Sequence, residues 1–155
     1  MRKSAGILLF KRKAGNLLFF LVHPGGPFWK DKDEGSWTIP KGEFTDGEEP
    51  LAAARREFFE ETGKAVDGDF YELQPVKQKA GKLVFAWAVE GDIDAEKIVS
   101  NSFKTEWPYK SGKWITVPEI DKGEWFTAGE ARRKINAAQA AFIDEVAVQH
   151  NEKTI

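Results

Sequence analysis

The stretch from residue 42 to residue 63 constrains the fold and the chemistry of this chain more than any other segment. Its sequence is GEFTDGEEPLAAARREFFEETG. Pro50 suits the first turn of a helix, and Gly63 suits the position just after a helix ends. The pattern therefore predicts a helix over about residues 50–62.

The predicted helix has two different faces. Apolar residues at helical spacing share one face and are expected to pack on a core: Leu51, Ala54 and Phe58. Three glutamates share an adjoining arc of about 100°: Glu57, Glu60 and Glu61. Like charges at this spacing repel by a few tenths of a kcal/mol per pair, and the helix dipole disfavours each by about 0.3–1 kcal/mol. Local rules that are broken together in one place point to a functional site.

Clustered carboxylates of this kind are suited to binding a hard divalent cation. Mg²⁺ or Mn²⁺ takes oxygen ligands and is usually bound together with substrate phosphates. The alternative is a solvated acidic face on which Arg55 and Arg56 pair with their neighbours. Charge spacing alone leaves both interpretations open.

The composition of the chain excludes several classes of function. Its 155 residues are the size of one domain, and we expect a single domain over residues 1–155. With 23 basic and 25 acidic residues, the chain has no overall basic field that would hold nucleic acid or a membrane surface. The absence of cysteine excludes disulfides, thiolate metal sites and a cysteine nucleophile. Apolar runs are too short to span a bilayer and no signal peptide is visible, so a soluble cytoplasmic protein is expected.

Strand and helix signals along the chain predict an α+β fold. Strands are expected in a hairpin over residues 4–23, a short strand at 37–39, a second hairpin over 70–90, and the segment 102–126. Consecutive apolar residues in the first hairpin predict that both of its faces are covered. A closing amphipathic helix is expected from a capping box at Thr127 to about Val148. This order indicates helices packed on a mixed sheet.

The acidic stretch resembles the Nudix box, Gly-x5-Glu-x7-Arg-Glu-U-x-Glu-Glu-x-Gly-U, where U is a bulky apolar residue. The matching positions are Gly42, Glu48, Arg56, Glu57, Phe58, Glu60, Glu61 and Gly63. Lys64 stands where the pattern has its last apolar residue. The resemblance extends over residues 4–148. It implies a Nudix-type α/β/α sandwich, in which the box helix and a C-terminal helix pack on a mixed β-sheet.

The resemblance also implies metal ligands and catalytic residues. Nudix enzymes hold Mg²⁺ or Mn²⁺ against a diphosphate. By position, the ligands here would be the carbonyl of Gly42 and the carboxylates of Glu57, Glu60, Glu61 and Glu119. The catalytic residues would be Glu60, Glu119 and Arg56. Arg56 would orient a box carboxylate and can reach Glu60 at i+4, and Glu48 would hold the loop against the helix.

Glu119 is chosen as the further acid, either general base or metal ligand, that many Nudix members take from outside the box. The segment Glu119-Ile-Asp-Lys-Gly-Glu-Trp125 resembles the Glu-x4-Glu-Trp segment that carries this residue in members acting on nucleoside triphosphates. Glu106 and Glu124 are rivals for the same role. A general base must come within about 3 Å of the attacking water or act through one water.

The implied activity is hydrolysis of the pyrophosphate linkage in nucleoside diphosphate-linked compounds, either nucleoside triphosphates or dinucleoside polyphosphates. Lys41 lies next to the box and is a candidate phosphate ligand, while Trp29 and Trp107 lie in polar segments where they can stack on a base. The proline after the box that marks ADP-ribose hydrolases is missing, since Lys79 occupies its place. The tyrosine that marks diadenosine polyphosphate hydrolases is also missing, since Ala80-Gly81-Lys82 occupies that place. The alternatives are a nucleotide sugar, a 5′-triphosphate RNA end, or a catalytically silent ligand-binding domain.

Overall fold

A central antiparallel hairpin organises the sheet. The computed structural model describes residues 2–150, so Met1 and residues 151–155 of the predicted domain lie outside the described residues. β1 (Lys3–Lys13) and β2 (Asn16–Pro24) form the predicted first hairpin, with Phe10 opposite Phe19.

The hairpin is the middle of a seven-stranded mixed sheet. The other strands of this sheet are β3 (Lys41–Glu43), β4 (Tyr71–Glu72), β5 (Val76–Lys77), β6 (Leu83–Glu90) and β9 (Ile120–Thr127). The order is β4-β6-β1-β2-β9, with β3 also paired to β1 and β5 to β6. β1 and β6 are parallel, whereas the other pairs are antiparallel. β7 (Ser102–Glu106) and β8 (Trp114–Pro118) form a separate two-stranded hairpin.

Helices cover both faces of the sheet, as the α/β/α prediction requires. α1 (Pro50–Thr62) packs on the face that carries Ile7 and Leu9, while α2 (Ala128–Lys134) and α3 (Ala140–Gln149) pack on the face that carries Leu8 and Phe10. Successive side chains of a strand point to opposite faces, so the continuous apolar run of β1 supplies both layers of the core. Within residues 2–150, no helix has the length and apolar character needed to cross a membrane.

The closing helix is interrupted, which corrects the prediction of one helix to about Val148. The capping box at Thr127 is present, but α2 ends at Lys134 and Ile135 is extended, with φ −74° and ψ 151°. The backbone of Trp37 donates to the carbonyl of Lys134 at 3.0 Å and accepts from Asn136 at 2.7 Å. These two bonds to a neighbouring segment replace helical bonds, so tertiary pairing overrides the helical periodicity.

Two strand predictions also need correction. Residues 37–39 make only isolated bridges, and the strand begins after Pro40, at Lys41, with the carbonyl of Pro40 accepting from Ile7 at 3.1 Å. In the second hairpin, predicted over residues 70–90, the first strand is split into β4 and β5. Pro75 lies between the two pieces and lacks the N–H that a continuous ladder needs.

Candidate active site

α1 begins and ends as its sequence predicts. Glu49 accepts the N–H of Ala52 at 2.9 Å, and Pro50 occupies the first turn. Gly63 has the left-handed φ of 73°, and its N–H donates to the carbonyl of Phe59 at 2.7 Å. A residue with a Cβ is disfavoured at that φ, so glycine ends the helix directly after the acidic turn.

The helix buries two of its three clustered glutamates. Ala54 and Phe58 are buried in the core as predicted, and Leu51 is half-buried against it. Glu57 and Glu61 are each only 7% exposed, while Glu60 is half-buried. Charged carboxylates are almost never this buried unless something compensates them. The interpretation of this cluster as a solvent-exposed acidic face therefore does not apply to Glu57 or Glu61.

Arg56 compensates part of this negative charge. Its guanidinium binds both oxygens of Glu48, with Nε donating at 2.8 Å and Nη2 at 3.0 Å. Nη1 donates to Glu57 at 2.7 Å and to Glu60 at 3.2 Å. Arg56 therefore reaches Glu60 as predicted and also holds Glu57. Bidentate pairing with Glu48 fixes the guanidinium in one orientation and lowers the pKa of that carboxyl.

Backbone hydrogen bonds bring Glu119 to the acidic turn. The carbonyl of Glu60 accepts the N–H of Asn101 at 2.9 Å, and the carbonyl of Asn101 accepts the N–H of Glu119 at 2.7 Å. The carbonyl of Glu119 in turn accepts the N–H of Gly25 at 2.8 Å. These bonds connect the end of α1 to the β8–β9 junction. They place Glu119 in one cavity of about 370 Å³ with Glu61, Lys41 and Trp29.

The rival acids lie elsewhere. Glu106 is at the tip of the β7–β8 hairpin, where its carboxylate accepts from the N–H groups of Lys110 at 3.2 Å and Gly112 at 2.8 Å. Glu124 is exposed on β9 opposite Leu21, whose side chain packs on the α2–α3 side of the sheet. Directly opposed residues in an antiparallel pair share a face, so Glu124 faces away from α1. Of the three candidates, Glu119 is the one beside the acidic turn.

The four acids interact strongly with one another. Burial, followed by repulsion from Glu57 and Glu119, raises the pKa of Glu61 to about 8. Burial raises the pKa of Glu57 despite its contact with Arg56, and burial followed by repulsion from Glu60 raises the pKa of Glu119. Carboxylates offer only oxygen atoms as metal ligands, which is what a hard divalent cation prefers. A cation bound between them would relieve their mutual repulsion. Within residues 2–150, no three of these groups already converge as a complete ligand set.

Gly42 lets the acidic turn approach the preceding loop. A Cβ at this position would overlap the Glu57 carboxylate, so glycine lets that carboxylate lie directly against β3. The adjacent Lys41 donates its backbone N–H to Glu61 at 3.3 Å. Burial, followed by repulsion from Lys82, lowers the pKa of the Lys41 side chain, while Glu61 opposes that shift. The backbone of Gly42 and the carboxylate of Glu57 therefore lie next to each other at the acidic turn.

Trp29 and Trp107 line one cavity of about 520 Å³, and Trp29 also lines the smaller cavity that contains Glu61 and Glu119. Phe103 is shared by the two cavities as well. The sequence prediction missed three aromatic residues of the larger cavity: Phe28, Phe103 and Tyr109. Phe28 lies beside Trp29 and Tyr109 lies two residues after Trp107, so an aromatic residue in a polar segment is the sequence signal that identifies both. Arg55, on the same helix as Arg56, donates to Asp67 at 2.6 Å.

The metal-free protein is expected to lose stability as the pH rises from about 4.5 to about 8. In this range the folded state keeps a proton on Glu61 that the unfolded chain, with its ordinary pKa of 4.5, has released. The free energy of unfolding then falls with pH, by at most about 1.4 kcal/mol per pH unit for one group. Urea unfolding at pH 5, 6.5 and 8 measures this slope.

Glu61→Gln is expected to flatten the slope, because the amide keeps the acceptor for Lys41 but carries no charge. Glu124→Gln, which removes an exposed carboxylate on β9, is the matched control and should leave the slope unchanged. Mg²⁺ should stabilise the wild type more at pH 8 than at pH 5. A slope that is identical in wild type and Glu61→Gln contradicts the prediction.

Comparisons with known proteins identify related sequences and folds. The model of the NUDIX domain matches residues 1–146. An RNA pyrophosphohydrolase from Bartonella henselae is 38% identical over 66 residues, which cover 40% of this chain and 35% of that protein. The matched part is thus about a third of that relative's length.

Solved structures share the fold along most of the chain. An Ap4A hydrolase from C. elegans, in a binary complex, has a TM-score of 0.65 at 20% identity, covering 98% of this chain and 99% of that one. The NUDIX domain of Shewanella oneidensis NrtR, complexed with ADP ribose, has a TM-score of 0.61 at 15% identity, covering 96% and 87%. At these identities the similarity establishes the fold.

Proposed function

This chain belongs to the Nudix family, and on that premise we propose that it is a metal-dependent hydrolase of pyrophosphate linkages in nucleoside polyphosphates. The substrates would be nucleoside triphosphates or dinucleoside polyphosphates. The observation that carries the proposal is the acidic turn itself: Glu57 and Glu61 are buried, and Glu60 and Glu119 lie close enough to take part in the mutual repulsion. A stable fold gains nothing from such a cluster, whereas a site for Mg²⁺ or Mn²⁺ and phosphate requires one.

The proposed ligands are the carboxylates of Glu57, Glu60, Glu61 and Glu119, with the carbonyl of Gly42. Their donor chemistry and their repulsion fit a divalent cation. When bound, the metal supplies positive charge that polarises the phosphoryl oxygens of the substrate. Arg56 keeps Glu57 and Glu60 oriented toward the same side of the helix.

In the proposed reaction, a water molecule attacks one phosphorus of a diphosphate bridge. Glu119 takes the proton of that water, the new P–O bond forms, and the bond from phosphorus to the bridging oxygen breaks. The products are two phosphorylated fragments. Lys41, which lines the cavity with Glu61 and Glu119, would stabilise the charge that develops on the phosphoryl oxygens.

A 5′-triphosphate RNA end is the second candidate substrate. It is favoured by one observation, the 38% identity over 66 residues to a protein named RNA pyrophosphohydrolase. The chemistry at the acidic turn would be unchanged. A silent ligand-binding domain is less well supported, because the Arg-Glu-x-x-Glu-Glu acids are all in place at residues 56–61.

A panel assay tests the proposal. The purified protein is incubated with ATP, dATP, diadenosine tetraphosphate, ADP-ribose, a nucleotide sugar and 5′-triphosphorylated RNA, with Mg²⁺, with Mn²⁺ or with excess EDTA. We expect phosphate-containing products from at least one nucleoside polyphosphate, and complete loss of activity in EDTA. If no compound is cleaved with either metal, or if cleavage survives EDTA, the proposal is wrong.

A further inference from the structure

A buried histidine at the end of β2 joins two segments that border the acidic centre, and the proposed reaction does not use it. His23 is only 2% exposed. Its Nδ1 lies 2.9 Å and 3.1 Å from the two carboxylate oxygens of Asp121, and its Nε2 lies 2.7 Å from the carbonyl oxygen of Lys32. A carboxylate and a carbonyl both accept, so both ring nitrogens donate. His23 therefore ties β9 and the loop of residues 25–36 to the end of β2.

Asp121, the first partner of His23, is the extra residue of a β-bulge. The pairing of β9 with β2 passes from Lys122 directly to Ile120, and Asp121 lies between them. A bulge bends its strand and re-aims a side chain, and bulges are common beside active sites. Here the bulge is two residues after Glu119 in the sequence. The contact with His23 is thus made where β9 meets the segment that carries the proposed general base.

The backbone ladder between β2 and β9 lacks a donor at this corner. Pro24, the last residue of β2, has no N–H to donate to β9. The next donor along the chain is Gly25, whose N–H binds the carbonyl of Glu119 at 2.8 Å. A Cβ at Gly25 would overlap a backbone carbonyl of the β8–β9 junction, so the two segments are in close contact. The bond from His23 to Asp121 supplies a side-chain tie where the ladder is interrupted.

The position of Glu119 depends on this corner. On the α1 side, the N–H of Glu119 is held by the carbonyl of Asn101 at 2.7 Å. On the β2 side, its carbonyl is held by Gly25, which directly follows the interrupted part of the ladder. A general base has to lie within hydrogen-bond reach of the attacking water, and a displacement of about 1 Å can cost about a hundredfold in rate. A side chain that fixes the bulge therefore matters for proton transfer.

We propose that His23 is a positioning residue, which holds the bulge of β9 through Asp121 and thereby keeps the Glu119 carboxylate in place to accept the proton of the attacking water. The inference rests on the proposed function, because Glu119 acts as a general base only in that reaction. It extends the site to a buried pair of side chains that contact neither the substrate nor the metal.

The second bond of His23, to the loop, is the less critical one. The loop has a further anchor in Asp33, whose carboxylate accepts the N–H of the Trp37 indole at 2.8 Å and pairs with Lys134. Loss of the bond to Lys32 therefore leaves the loop attached. Loss of the bond to Asp121 releases the bulge, so the two bonds are expected to differ in their effect on catalysis.

Two amide substitutions separate the two bonds. The amide nitrogen of Asn is as many bonds from the backbone as Nδ1 of histidine, and the amide nitrogen of Gln is as many as Nε2. His23→Asn thus keeps the donor to Asp121, and His23→Gln keeps the donor to Lys32. Both variants remove the ring that packs edge to face on Trp37, with centroids 5.2 Å apart. Each variant is therefore the control for loss of the ring in the other.

The kinetic test uses saturating Mg²⁺ and a substrate that the wild type cleaves in the panel assay. His23→Gln should lower kcat by about 10- to 100-fold, the usual loss when a partner that orients a functional carboxylate is removed, and leave KM nearly unchanged. His23→Asn should keep nearly the kcat of the wild type. His150→Gln is the matched control at the other histidine of the chain, whose ring contacts Phe10, and it should change neither constant.

Asp121→Ala tests the same bond from its other end. The Asp121 side chain is 35% exposed, so this variant removes the partner without disturbing a buried ring. It should lower kcat as much as His23→Gln does. The double variant should fall no further than either single variant, because both remove one interaction.

Hydrogen exchange of the Gly25 N–H measures the corner without metal or substrate. This N–H is bonded to the carbonyl of Glu119, and its exchange is followed by ¹⁵N–¹H NMR of the metal-free protein. We expect faster exchange in His23→Gln and Asp121→Ala, and the wild-type rate in His23→Asn and His150→Gln. Urea unfolding of each variant gives its global stability, and the acceleration at Gly25 should exceed what the global loss explains.

The outcomes distinguish this inference from the proposed function. If His23→Gln keeps the kcat of the wild type, or if both amide variants lose kcat equally and in line with their stability, the positioning role is wrong. If the wild type cleaves no substrate, the hydrolase proposal fails, and the exchange data decide the structural part. Faster Gly25 exchange in His23→Gln alone then supports the hold of His23 on Glu119, and equal exchange in both amide variants overturns it.

Discussion

Replacing Glu61 by Gln is expected to lower kcat by about a thousandfold or more while the fold survives. Every tenfold loss corresponds to about 1.4 kcal/mol of transition-state stabilisation, and a ligand carboxylate that positions a divalent metal supplies several kcal/mol. The amide can still accept the N–H of Lys41, at 3.3 Å in the wild type, so the packing of β3 on α1 is retained. Glu60→Gln should also lower kcat, since Glu60 is a proposed metal ligand and accepts a hydrogen bond from the same Arg56 nitrogen as Glu57.

The Glu61→Gln variant should lose catalytic activity but keep its folding stability. At pH 8 the Glu61→Gln variant should be as stable as the wild type or more stable, because the buried negative charge is gone. Glu124→Gln should keep both wild-type activity and wild-type stability, since Glu124 is exposed on the opposite face of the sheet. Steady-state kinetics with saturating Mg²⁺ and urea unfolding of the same preparations measure both properties. Full activity in Glu61→Gln refutes the assignment of this residue as a metal ligand.

Local sequence signals predicted α1 and its acids well because the determinants are themselves local. Pro50 and Gly63 set the ends of the helix, and the 3.6-residue repeat places Glu57 and Glu61 beside the buried Ala54 and Phe58. The burial of the acids was not predictable from the repeat. It depends on β3 packing against α1, where Gly42 admits the Glu57 carboxylate.

Long-range pairing explains where local signals failed. Ile135 has helical spacing with its neighbours, yet it pairs with Trp37 from a segment almost a hundred residues earlier, and this pairing ends α2. The cavity of about 520 Å³ is likewise built from two distant segments, around Trp29 and around Trp107. Composition identified the individual tryptophans, but only the folded chain brings them to one cavity beside Glu61.

Glu119→Gln is expected to lower kcat by about 10²- to 10⁴-fold, which is the usual contribution of a general base. A general base must be ionised, so the rate of the wild type should rise with pH through an acidic limb. The limb is measured with saturating Mg²⁺; in the metal-free protein, burial followed by repulsion from Glu60 raises the pKa of Glu119 above its ordinary value. In the Gln variant, the limb should disappear and the remaining rate should depend only weakly on pH.

The rival acids provide an internal comparison for this result. Glu124→Gln should retain both the acidic limb and kcat, because its side chain faces away from α1. Glu106 accepts two N–H groups at the hairpin tip and lines the cavity of about 520 Å³ beside Trp29 and Trp107, so Glu106→Gln is expected to change KM rather than kcat. The split between kcat and KM therefore distinguishes a proton acceptor from a residue that shapes the binding wall. A Glu119→Gln variant with the full acidic limb, together with a Glu106→Gln variant that lacks it, would move the role of general base to the hairpin.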